Sequence, residues 1–242
     1  MAKSAVPSLN DDLKYVTSFF MERRVIPPAP SDAMKDNIRR IHAATFSLIL
    51  WRFRLKKLLP HAKPFIEEIA SDALQILPQV LLGYGKTVKL LTRGIIENTL
   101  RHIYFSDHPV EFQRMNYEVR WFLPTSELFT YVKVHPKLAM VEKRFDAIGR
   151  LSSLYSDLSA GVHGQTVADL DMRVSLKKIK YVDHAAKKDA ALAERCACAS
   201  NFLLAVFHGQ KVARFQTEDQ TIILQTMPPK GRRAWRDSLT IP

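Results

Sequence analysis

Cysteine is nearly missing from this chain, with Cys196 and Cys198 the two examples in 242 residues. Two thiols cannot staple a disulfide scaffold, and they cannot complete a four-ligand zinc site without several histidines. Such a chain suits a reducing compartment. Glycine is scarce too, at 8 residues. Gly85-Lys86-Thr87 has the ending of an ATP-binding loop, but Val80 stands where that pattern needs its first glycine. No acidic, histidine or cysteine cluster has metal-ligand spacing, and no Ser-His-Asp order stands out. Neither a metal nor a cofactor is expected.

Long apolar runs are absent as well. The most membrane-like stretch, Ala43 to Trp51, is bracketed by Arg39, Arg40, Arg52 and Arg54. It is less than half of the roughly 20 apolar residues that a spanning helix needs. Met1 to Asp12 lacks the apolar core behind a basic start that marks a signal peptide. No membrane partner is expected, and the expected address is the cytoplasm. Acidic residues are the last shortage: 24 against 36 basic ones, a formal charge of +12. A surplus of this size concentrates polyanions, so RNA or another nucleic acid is the natural partner.

What is present is a globular, helix-patterned chain with 47% apolar residues. Residues 1–30 look like an arm that ends in the stiff Ile26-Pro27-Pro28-Ala29-Pro30. Residues 31–213 read as a helical domain. Ser31 caps a helix that carries Ile38, Ile41, Thr45 and Leu48 at three-and-four spacing and stops near Pro60. Pro64 opens a second, which Pro78 kinks and Gly83 and Gly85 end. Thr87 to Phe105 is a third. Ser106 to Pro136 is irregular, with a short helix over Glu111 to Phe122. Pro136 starts a long helix to about Gly161, Asp169 to Tyr181 is loop or short strand, and Ala185 to Ala213 is an alanine-rich helix. Residues 214–242 read as a basic tail, with a hairpin pairing Val212–Gln216 and Thr221–Gln225 at its start. The expected fold class is all-α: an antiparallel helical bundle of four to six helices with a basic C-terminal segment.

Chemistry could sit in three places. Arg93, Glu97 and Arg101 are four apart and share one helix face. They make either an ordinary exposed charge ladder or a pair of arginines oriented by a carboxylate to hold phosphate. Next, Arg101 and His102 precede His108 by two helical turns. Arginine and histidine together can cut RNA without metal: the imidazole moves a proton, and the guanidinium steadies charge on the phosphorus oxygens. Lastly, small residues Gly149, Ser152, Ser153, Ser156 and Ala160 lead to His163, either a tight packing seam or an acid/base held at a helix end. Two basic clusters suit a phosphate backbone: Arg52, Arg54, Lys56 and Lys57, and Lys230, Arg232, Arg233 and Arg236. The first also suits a helix C-terminus by its dipole alone.

The Arg-polar-x5-His string of Arg101, His102 and His108, an Arg/Glu-bearing helix, and the ending Leu158-Ser159-Ala160-Gly161-Val162-His163 resemble the HEPN superfamily of prokaryotic defence and toxin proteins. The resemblance covers about a third of the chain, Thr87 to Gly164, and Ser156 stands where the family has an arginine upstream of the last histidine. It implies a dimeric helical bundle and metal-independent RNA cleavage at the subunit interface. Arg93, Glu97, Arg101, His102, His108 and His163 are then the catalytic candidates. It also implies a homodimer, an inhibitory or sensor protein partner, and a role in antiphage defence. The alternative is a helical accessory protein that binds nucleic acid or a partner without catalysis.

Overall fold

The computed structural model describes residues 6–163 and 175–239. The side chains at 140, 141, 161–163 and 176 lie outside that description. The described residues are helical, with no strand among them: α1 (Leu9–Glu22), α2 (Asp32–Arg54), α3 (Lys63–Leu81), α4 (Gly85–Asp107), α5 (Pro109–Tyr117), α6 (Thr125–Val134), α7 (Pro136–Phe145), α8 (Ala147–His163), α9 (Asp183–Phe207), α10 (Gly209–Val212), α11 (Thr217–Gln225) and α12 (Pro229–Ser238). The all-α expectation holds.

Sequence chemistry explains where the central helices begin and end. Ser31 Oγ accepts from the Met34 amide at 3.0 Å and caps α2. Pro64 sits in the first turn of α3, where a missing N–H costs nothing. Pro78 lies in the last turn of α3, and the helix runs through it to Leu81. Gly83, at φ +80°, then turns the chain. A Cβ there would collide with the Lys180 carbonyl, so the turn needs glycine twice over.

The core is built by α2, α3, α4, α8 and α9. Asn37 meets the Asp183 carbonyl and Ser47 meets Asn201, so α2 and α9 run parallel. Thr92 lies by Cys196 and His102 by His208, so α4 runs with them. Phe65 stacks on Phe105 and Gly94 abuts Asp72, which makes α3 antiparallel to α4. Phe145, at the end of α7 just before α8, packs on Phe202, and Asp157 of α8 meets Arg195, which makes α8 antiparallel to α9. The packing therefore mixes parallel and antiparallel neighbours, where an antiparallel arrangement was expected. By length and composition α9 could cross a membrane, but 72% of its apolar window is buried among the other helices. Burial on all sides is what makes a core helix apolar all round.

Asn201, fully buried in α9, ties three elements together. Its Oδ1 accepts from Trp51 Nε1 at 2.7 Å, and its Nδ2 donates to Ser47 Oγ at 2.7 Å and Thr226 Oγ1 at 3.2 Å. Every polar atom of that amide is satisfied inside the core.

Five expectations about the elements change, the first being that the stretch Ser106–Pro136, read as irregular with one short helix, holds both α5 and α6. Part of the N-terminal arm is the helix α1, whose Asp12 meets buried His42 Nε2 at 2.7 Å, and Ile26 enters the core at 1% exposure. The long helix from Pro136 is two helices. Asp146 takes a left-handed conformation at φ 56°, and Glu142 Oε1 accepts from the Ile148 amide at 2.8 Å to cap α8. The alanine-rich helix stops at Phe207 rather than Ala213. The C-terminal hairpin does not form, because Thr217–Gln225 is the helix α11. Glu218 and Asp219 in its first turn favour a helix start, and adjacent Ile222 and Ile223 are both buried, which an alternating strand on one sheet face cannot do. Of the span Asp169–Tyr181, expected as loop or short strand, residues 169–174 lie outside the described residues; 175–181 hold no strand, and Leu176–Lys178 forms a single 3-10 turn.

Candidate nucleic-acid interface

The α4 ladder closes into a cluster. Arg93 Nε donates to Glu97 Oε1 at 3.0 Å, and Arg101 reaches Glu97 Oε2 at 3.9 Å. From α8, the Tyr155 hydroxyl accepts from Arg93 at 2.8 Å and donates to Glu97 Oε1 at 2.8 Å. Thr125 Oγ1, at the start of α6, lies 3.3 Å from the same hydroxyl oxygen. Burial works against the charge of Arg93, but the Tyr155 oxygen and the Glu97 carboxylate outweigh it and lift its pKa above the ordinary arginine value. Glu97 thus offers Oε1 to Arg93 and Tyr155 and Oε2 to Arg101. The arginine side chains remain 24% and 33% exposed.

His102 and His108 do not join this cluster. His102 turns inward and is fully buried. Its Nδ1 lies 2.9 Å from the Ala62 carbonyl and its Nε2 lies 2.8 Å from His208 Nε2. Burial pushes its pKa down to about 4; the carbonyl contact opposes that and the charge of Lys211 adds to it. One residue after Arg101, a helix has already turned by about 100°, so a motif contiguous in sequence is split between surface and core. His108 leaves α4 at φ −124°, as expected of a residue before proline. Its Nδ1 donates to the Tyr104 carbonyl at 2.8 Å and its ring stacks on Tyr104 with centroids 4.1 Å apart. Among the described residues, no hydrogen bond or ion pair joins Arg101 to either histidine.

His163 closes α8, and its side chain lies outside the described residues. Because α8 is antiparallel to α4, the eight residues beyond Tyr155 carry its backbone about 12 Å toward the Gly85 end of α4. Arg101 lies in the other direction. Arg93, Glu97 and Arg101 of the composite site come together, and Tyr155 and Thr125 join them. Tyr155 was legible only as an apolar-face residue, since nothing local announces a hydroxyl that reaches another helix.

The two basic clusters have opposite fates. Arg54 is spent on the fold: its Nε lies 2.8 Å from Asp219 Oδ2 and its second nitrogen donates to Asp219 Oδ1 at 3.0 Å, with Asp219 4% exposed. Arg52, Lys56 and Lys57 stay exposed at the end of α2 and beyond it. On α12, Gly231, Ala234 and Trp235 face the core. Gly231 lies too close to the Phe145 ring for a larger side chain to fit without displacement, and Trp235 Nε1 donates to the Ala205 carbonyl at 3.1 Å. That anchoring turns the opposite face outward. Arg232, Arg233 and Arg236 line a groove of about 370 Å³ with Pro229. None of Lys230, Arg232, Arg233 or Arg236 has an ion-pair partner among the described residues. The one acid of the helix, Asp237, binds Arg144 at 2.7 Å.

Among the described residues, no group of three or more acidic, histidine or cysteine side chains could hold a metal ion. No family model, curated protein or solved structure matches the chain, so the reading of its surfaces rests on this geometry.

Proposed function

We propose that this protein is a HEPN-like helical module that binds RNA through its phosphate backbone, as a non-catalytic accessory of a prokaryotic defence system. The observation that carries the reading is the outer face of α12: four cations within seven residues, without ion-pair partners among the described residues, on a helix locked to the core by Trp235. Fixed, uncompensated cations are what counterion release rewards, because each phosphate neutralised frees condensed salt. The exposed Arg52, Lys56 and Lys57 extend the positive surface. Two free thiols, Cys196 and Cys198, fit a cytoplasmic setting. The HEPN resemblance supplies the remaining expectations, a homodimer and a restraining or sensing protein partner.

A gel-shift titration with a single-stranded RNA tests this reading. Arg233→Glu/Arg236→Glu lowers affinity about tenfold or more at a low salt concentration, and the RNA stays intact with EDTA present. Wild-type affinity in the variant overturns the assignment of α12.

One observation favours cleavage as a second reading. Arg93 and Arg101 keep exposed guanidinium surface beside α8, and α8 ends on His163. Across a two-fold axis, the partner copy's α8 end could bring an imidazole to these arginines. Metal-independent loss of RNA, abolished by His163→Ala and by Arg93→Ala, selects that reading over simple binding.

A further inference from the structure

A second basic site lies at the far end of α9. The segment between α2 and α3, the starts of α7 and α10, and the end of α12 enclose a cavity of about 510 Å³. Lys57, Lys137 and Lys211 line it, and no carboxylate does among the described residues. None of these lysines has an ion-pair partner among the described residues. Leu58, Leu59, Pro136, Phe207 and Leu239 give the rest of its wall an apolar character.

His208 forms part of the wall at 8% exposure. The hydrogen bonds behind it fix which of its nitrogens carries a proton. The Ala62 carbonyl only accepts, so His102 Nδ1 carries hydrogen. Two imidazole nitrogens 2.8 Å apart need one lone pair between them. Neutral His102 supplies it at Nε2 and accepts from His208 Nε2–H. His208 Nδ1 is then a bare acceptor. Among the described residues it makes no hydrogen bond, and the ring that carries it lines the cavity.

We propose that this cavity binds a phosphate monoester, with Lys57, Lys137 and Lys211 holding the phosphoryl oxygens and His208 Nδ1 accepting a hydrogen bond from the ligand. The three cations demand an anion. The bare nitrogen asks for one that still carries a donor, as a phosphate monoester does near its second ionisation and a sulfate does not. The apolar wall asks for an organic group beyond the phosphate. A nucleoside monophosphate and the 5′-phosphorylated end of an RNA chain share this chemistry. The site is separate from the α12 groove and stands whether or not RNA binds there.

Isothermal titration of the full chain tests the proposal with adenosine monophosphate, adenosine, inorganic phosphate, inorganic sulfate, and one RNA oligonucleotide with either a 5′-phosphate or a 5′-hydroxyl. Adenosine monophosphate binds at least about tenfold more tightly than adenosine, and phosphate more tightly than sulfate. Lys137→Ala/Lys211→Ala weakens the monoester about tenfold or more, while Arg233→Glu/Arg236→Glu leaves it unchanged and weakens RNA. His208→Phe keeps the ring volume and removes the bare acceptor, so it erases the preference for phosphate over sulfate. A thermal melt confirms that this variant folds. A further gain for the 5′-phosphorylated oligonucleotide over adenosine monophosphate supports the site and identifies the chain end as its source. Equal binding of adenosine and its monophosphate, no heat at millimolar ligand, or indifference to the lysine variant overturns the proposal. Equal affinity for sulfate and phosphate removes His208 from it.

Discussion

Arg54 and Arg233 are the same residue in the same basic protein, yet they do different work. Arg54, at the end of α2, closes on buried Asp219 and joins α2 to α11. Arg233, on α12, has no acidic partner among the described residues and faces solvent across from Trp235. The surplus of +12 is a sum over both kinds of cation. Only the second kind is free to meet a phosphate, so net charge names a class of partner while the absence of local acids names the surface.

The comparison breaks most visibly where a neutralising acid is removed. Asp219→Ala strands Arg54 at a packed joint, and urea unfolding should show a loss of about 3 kcal/mol. Arg233→Ala should stay within about 0.5 kcal/mol of wild type in the same experiment. Glu97→Ala takes the shared carboxylate from Arg93, Arg101 and the Tyr155 hydroxyl, for a loss of about 2 kcal/mol given their partial exposure. An equal cost for Arg233→Ala would erase the distinction between spent and available cations.

Asp72 is the converse case, an acid held inside with no ion-pair partner among the described residues. It packs against Gly94, where α3 and α4 approach closely, and burial first and Glu68 second raise its pKa to about 7. The folded state therefore keeps a proton that the unfolded chain loses near pH 4, and stability falls as pH rises from about 4 to 7. Asp72→Asn removes that dependence. It should stabilise the protein by about 1.5 kcal/mol at pH 8, after allowance for screening, and change little at pH 4. Thermal melts across that range check it, and a gain that is the same at both pH values would contradict the assignment.

Periodicity made the central helices legible, because Ile38, Ile41 and Leu48 repeat at helical spacing and Ser31, Pro64 and Gly83 punctuate them. Breaks set by tertiary contacts were not legible: the left-handed Asp146 takes its meaning from Glu142 capping the next helix. Thr221–Gln225 read as one strand of a hairpin, but Ile222 and Ile223 are both buried and the segment packs as the helix α11 against α2 and α9. The Arg93–Glu97–Arg101 cluster followed from spacing alone, but its completion by Tyr155 depends on how α8 lies against α4. His102 shows the limit most clearly. Its neighbour Arg101 faces outward, while it shares a proton with His208, 106 residues away in the chain.

The most direct test of the α12 assignment is the salt dependence of RNA binding, followed by fluorescence anisotropy for the wild type and Arg233→Ala/Arg236→Ala. Four phosphate contacts to a single strand give a slope of log K against log salt of about −3, and two remaining contacts give about −1.4. A shallower slope in the variant, with unchanged thermal stability, is the result this account predicts. Equal slopes in the two proteins would contradict it.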